Sequence, residues 1–179
     1  MATIVVPFRR GAGKQRLAPL PEGTRAALAQ AMLDDVVAVC EEVGTTVIAD
    51  HAGGQGRAVE DALAELADGP VAIVNADVPC VTPRDVLALL GAVPPGGLAL
   101  VAAADGTTNA LALSGPRLFA PRYGPGSADR FTALAESRVV EIPNLRDDVD
   151  TVDDLERLEE RLGPRTRAVL ASLPLQAAR

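Results

Sequence analysis

Apolar runs of strand length alternate with stretches of helical periodicity along the chain. Thr3–Phe8, Thr45–Ala49, Val71–Val74, Leu98–Ala103, Ala110–Leu113 and Arg138–Ile142 read as strands. Val71–Val74 is apolar on both faces, as expected of a central strand in a parallel sheet. Between the first two runs, Leu28, Met32, Val36, Val39 and Val43 share one helical face, so the pattern predicts a helix over Thr24–Glu42. Thr24 is its expected N-cap and Gly44 its stop. Further helices are expected at Arg57–Ala67, Pro83–Gly91, Ala128–Ala135 and Glu156–Leu170, the last broken at Gly163-Pro164. The alternation predicts one α/β domain over residues 1–179, with a mostly parallel central sheet and a fraying tail over 172–179.

Two helix starts carry a capping box. Thr82 precedes Pro83 and has Asp85 three residues on; Thr151 has Asp154 at the same spacing. The first fixes Asp77 just past the carboxyl end of the Val71–Val74 strand, in the crevice where open α/β sheets bind ligands. A carboxylate there is either a metal ligand or a structural cap. The second lies beside Asp147, Asp148 and Asp150, which would repel one another unless solvated or shared with a cation.

The segment after the first strand, Arg9–Pro21, gathers Arg9, Arg10, Lys14 and Arg16 with two glycines. Glycines let backbone N–H groups approach a phosphate and the cations neutralise it, although a solvated loop has the same composition. It is not a Walker A loop: Phe8 stands at the first Gly position and Gln15 replaces the Ser/Thr. Asp50–Gly56, DHAGGQG, is a glycine-rich turn able to wrap a planar base, with Gln55 available to a base edge; an ordinary βα turn reads the same way. ADGTTN at 104–109 offers hydroxyls and amides between two strands, for an oxyanion or merely for the turn. YGPGS at 123–127 leaves Ser127 as an expected N-cap and its helix start as an anion site. His51 is the only histidine and receives no role.

Bulk properties narrow the classes. A net charge of −7 and 2% aromatic residues argue against a nucleic-acid polymer as partner, which needs a basic face and stacking rings. Cys40 and Cys80 read as isolated core thiols of a reducing compartment. No apolar run reaches membrane-span length, and MATIVVPFRR has the wrong order for a signal peptide, so no membrane partner and a cytoplasmic location are expected.

A cationic glycine loop, Asp77 after a central strand and a late Asp148/Asp150 pair form the minimal kit for nucleotidyl transfer through Mg²⁺. At this point the sequence resembles the guanylyltransferases of coenzyme F-420 biosynthesis. The resemblance rests on IVVPFRRGAGKQRLAPL, GGQGRAVEDAL, NADVPCVTP, DGTTNALAL, YGPGSADRF and DVDTVDDL, in that order over nearly the whole chain. VNADVP departs from the family's usual Pro-containing version, Tyr123 stands where Phe is common, and Arg9 or Arg10 replaces an early Lys.

The resemblance implies a single three-layer domain of the nucleotide-diphospho-sugar transferase (GT-A-like) fold. It implies transfer of GMP from GTP to phosphoenolpyruvate or 2-phospho-L-lactate, with release of pyrophosphate. Asp77 and Asp150, with Asp148 as the alternative second ligand, would hold Mg²⁺. The nucleotide would lie on Pro7, Phe8, Arg9, Gly13, Lys14, Gly53, Gln55 and Gly56. Thr108, Gly124 and Ser127 would hold the acid, and Asp77, Lys14 and Arg16 would carry catalysis. A homodimer is compatible with this reading. A relative acting on a sugar phosphate or molybdopterin, and a non-enzymatic nucleotide-binding module, are the competing readings.

Overall fold

The computed structural model describes residues 2–9, 14–50 and 53–173. Arg10, Gly13, His51 and the expected fraying tail from residue 174 lie outside the described residues. Six strands form one sheet: β1 (Thr3–Pro7), β2 (Thr45–Ala49), β3 (Val71–Val74), β4 (Leu98–Ala102), β5 (Thr108–Leu113) and β6 (Ser137–Val139). Their spatial order is β2-β1-β3-β5-β4-β6. β5 pairs antiparallel with both β3 and β4, while the other pairs are parallel, so five strands share one direction and β5 opposes them.

Helices cover both faces. Alternate residues Ile4, Val6, Ala72 and Val74 point to one side and pack with Leu33, Val36 and Cys40 of α1 (Glu22–Val43) and with Val86 and Leu89 of α3 (Pro83–Gly91). Val5, Val71 and Ile73 point to the other, against Val59 and Leu63 of α2 (Gln55–Ala64) and Phe131 of α4 (Ser127–Thr132). This is the expected three-layer arrangement, with β3 central and wholly buried. A short helix α5 (Pro143–Arg146), then α6 (Val152–Leu158) and α7 (Pro164–Ala171), complete the chain. No helix among the described residues is long and apolar enough to cross a membrane. Cys40 and Cys80 are free and buried, and burial pushes their thiols up to about 12 and about 11.

Several boundaries differ from the pattern. α1 begins at Glu22 with Pro21, not Thr24, at its N-cap; the Pro21 carbonyl accepts from Arg25 N–H at 3.0 Å. β5 begins at Thr108, so the end of ADGTTN is strand and only Ala103–Thr107 turns. Five residues cannot make the crossover a parallel pair requires, and β5 therefore runs antiparallel. β6 ends early at Val139, because Ile142 already caps α5. Both capping boxes, at Thr82–Asp85 and Thr151–Asp154, form as expected.

The C-terminal helix is capped from a distance. Asp35 of α1 is 4% exposed and accepts from Arg165 N–H at 3.0 Å, Thr166 N–H at 2.8 Å and the Thr166 hydroxyl at 2.7 Å. These are the amides a helix start leaves unpaired, and no side chain of the Gly163 cap reaches them. A Cβ on Gly163 would lie 2.3 Å from Asp35 Cγ, so glycine is required where α7 meets α1. Asp35→Ala strands three donors, two of them main-chain amides, and is expected to cost about 3 kcal/mol, or roughly 6–12 °C in thermal midpoint. A loss below about 1 kcal/mol in denaturant unfolding would show that water replaces the carboxylate there.

Candidate active site

The carboxyl edge of the sheet gathers the candidate residues. Asp77 follows β3, and Asp148 and Asp150 lie between α5 and α6. The two segments are tied by a backbone bond from Val149 N–H to the Asp77 carbonyl at 2.8 Å. Asp77, Asp148 and Asp150 each offer a carboxylate oxygen, all within 4.8 Å of one another. Asp147, crowded with them in sequence, turns away to Arg157 at 3.3 Å and to Arg161.

Lys14 enters this acidic cluster. Its Nζ donates to Asp77 Oδ2 at 2.9 Å, to Asp150 Oδ1 at 3.1 Å and to the Val149 carbonyl. Burial would favour the neutral amine, but Asp77 and Asp150 more than offset it and raise the Lys14 pKa above its ordinary value. Arg16 Nη1 donates to Asp150 Oδ2 at 2.9 Å, with the guanidinium side chain 73% exposed. Such an exposed pair adds little to stability.

The cluster still holds three carboxylates against these two cations. Burial, then the charges of Asp77 and Asp150, push the Asp148 carboxyl above its usual range. Asp77 Oδ1 is buried with no hydrogen-bond partner among the described residues. Clustered hard oxygen donors, one of them unsatisfied, fit a divalent cation.

A cleft flanks Asp77. It is walled by Pro7, Phe8 and Arg9 from the end of β1, by Ala29 and Met32 of α1, and by Gly54 and Gln55 at the start of α2. Lys14, Asn75, Ala76 and Asp77 close its inner end. Gly56 does not line this cleft: it packs against Pro121, where a Cβ would come within 2.9 Å. Gly53, exposed in the turn that precedes the Gly54 N-cap of α2, does not line the cleft either.

The structure also brings Thr108, Gly124 and Ser127 together, with Thr108 and Ser127 buried. Ser127 N–H donates to the Gly124 carbonyl at 3.0 Å and Ser127 Oγ donates to Thr108 Oγ1 at 3.1 Å. Ser127 is therefore the first residue of α4 and not its cap; Gly126, with φ +69°, takes the cap position. α4 has six residues and its start is no independent anion site.

Some participants are absent from the sequence reading. Arg130 holds the 122–125 loop by donating to the carbonyls of Arg122, Tyr123 and Pro125 at 2.6–3.2 Å. Tyr123 of that loop packs with Phe119 and Phe131 in tilted and edge-on geometry, the three ring centroids 5.2–6.2 Å apart. Asn109 Nδ2 donates to Asp148 Oδ1 at 3.2 Å and to the Arg146 carbonyl at 2.9 Å, setting that carboxylate. A polar residue at a wholly buried strand position was the available signal for Asn109.

A family model described as guanylyl transferase, CofC like, matches residues 2–158. The phosphoenolpyruvate guanylyltransferase of Conexibacter woesei is 34% identical over 197 residues, covering 90% of this chain and 88% of that protein. That of Streptomyces scabiei is 35% identical over 136 residues, 69% of this chain but only 63% of the relative. A solved structure from Desulfovibrio desulfuricans G20, assigned to the nucleotide-diphospho-sugar transferases, shares the fold with a TM-score of 0.74. It is 18% identical and covers 95% of this chain and 94% of that one. A match over residues 2–158, together with relatives alike across most of the chain, places this protein in the CofC-like guanylyl transferase family.

Proposed function

We propose that this chain transfers GMP from GTP to phosphoenolpyruvate and releases pyrophosphate, in coenzyme F-420 biosynthesis. The observation that carries the reading is the acid trio beside Lys14, at the cleft that Asp77 helps to line. The relatives named for phosphoenolpyruvate favour it over 2-phospho-L-lactate.

The nucleoside would lie in the cleft against Pro7, Phe8 and Gln55, with its phosphates toward Arg9, Lys14 and Arg16. The acid would be held at Thr108, Gly124 and Ser127. Asp77, Asp148 and Asp150 would hold Mg²⁺, whose contribution when bound is to neutralise charge at the α-phosphate. A phosphate oxygen of the acid attacks the α-phosphorus, and the bond to the bridging oxygen of the β-phosphate breaks. That nucleophile has a second pKa of about 6 and is largely dianionic at neutral pH, so no general base is required. Lys14 and Arg16 meet the charge that develops on pyrophosphate.

The test is pyrophosphate release from GTP, CTP and UTP against a panel of small phosphorylated acids. GTP turnover with phosphoenolpyruvate and inversion at the α-phosphorus are expected. Turnover confined to CTP or UTP, or retention of configuration, overturns the reading.

A further inference from the structure

Two side-chain amides link the cleft to the start of β5. Gln55 opens α2 and Asn75 follows β3; both line the cleft. Gln55 Nε2 donates to Asn75 Oδ1 at 2.7 Å, and Asn75 Nδ2 donates to the Thr108 carbonyl at 3.2 Å. The Thr108 carbonyl can only accept, so the nitrogen of the Asn75 amide must face it. Reversing both amides would preserve their mutual bond but set Asn75 Oδ1 against the Thr108 oxygen. Asn75 Oδ1 therefore faces Gln55, and Gln55 must present its nitrogen to Asn75. Its carbonyl oxygen, Oε1, occupies the other branch of the amide and has no partner among the described residues.

The anchor is firm at its far end. Asn75 N–H donates to the Asn109 carbonyl at 2.9 Å, and the Thr108 hydroxyl is held by buried Ser127 at 3.1 Å. A main-chain carbonyl of β5 thus dictates, through Asn75, which face of Gln55 is offered to a ligand.

We propose that Asn75 is a specificity-determining positioning residue that fixes Gln55 Oε1 as an acceptor for the ring N1–H of a purine. Guanine carries that donor. Adenine has a lone pair at the same position, and two acceptors in contact repel. Hypoxanthine retains N1–H and lacks only the 2-amino group, so it passes this test. The inference rests on reading the cleft as the nucleotide site, and it adds the atom that selects the base and the residue that orients it.

The experiment measures kcat/KM for GTP, ITP and ATP with phosphoenolpyruvate, alongside calorimetric binding of the same three nucleotides. The proteins are the full chain, Asn75→Leu, Gln55→Leu and the double variant, with Asn75→Ala in place of the leucine should that side chain not fit. The unaltered chain is expected to take GTP and ITP at least about 10²-fold better than ATP. Asn75→Leu lowers that preference by about ten-fold or more, through KM and not kcat. If Asn75 acts through Gln55, the double variant is no worse than Gln55→Leu alone. A preference unchanged within about two-fold in the Asn75 variants overturns the proposal, as do additive losses in the double variant. ITP treated like ATP overturns it too. Absence of GTP turnover with every acid overturns the assigned reaction alone, because nucleotide binding still reads the Asn75 effect.

Discussion

Asp77→Asn is expected to lower pyrophosphate release by about 10³-fold or more while the protein stays folded. The substitution keeps the volume and the Asp77 carbonyl that accepts from Val149, so the two loops remain joined. It removes the charge of the carboxylate whose Oδ1 is buried without a partner among the described residues and whose Oδ2 meets Lys14. Losing one of three mutually repelling carboxylates also relieves the cluster, so the thermal midpoint should move by no more than a few degrees. The measurement is steady-state turnover at saturating MgCl₂ beside a melting curve. Near-normal turnover in a folded variant would remove Asp77 from the metal set.

Lys14→Met separates two roles that coincide at one ammonium. Its contacts with Asp77 and Asp150 neutralise part of the acid cluster, and on the proposed function its place in the cleft wall sets it beside the phosphates. Removing it should lower turnover by about 10²–10³-fold, the scale for one preorganised charge on a leaving group. The same variant should bind a divalent cation more tightly, since three carboxylates then face it without their lysine. Manganese titration by electron paramagnetic resonance reads the second effect independently of catalysis. Weaker manganese binding would mean that Lys14 organises the carboxylates and does not compete for them.

The architecture was legible because its strands are short apolar runs and helices such as α2 and α3 are clearly amphipathic. Val71–Val74 and the capping box at Thr82 placed Asp77 at the reactive edge from sequence alone. What local pattern could not carry is contact between distant segments. Asp35 caps a helix 130 residues away, and nothing in its neighbours signals this. Lys14 reaches Val149 and Asp150 across a similar separation, so its engagement with acids and not only phosphates was invisible. Ser127 has the composition of a cap, yet the left-handed Gly126 takes that position and frees its hydroxyl for Thr108. Asp147 looked like a member of the acid group until Arg157 and Arg161 claimed it.

The reversed β5 gives the reactive edge an unusual division of labour. The strands before it deliver residues to that edge as they end, whereas β5 delivers Thr108 and Asn109 as it starts, straight from the 103–107 turn. That turn contributes none of the three clustered aspartates. Lengthening or recomposing it leaves their segments of chain unaltered. On the proposed function, acceptor preference is therefore expected to be separable, by insertion at one hairpin tip, from the handling of the triphosphate.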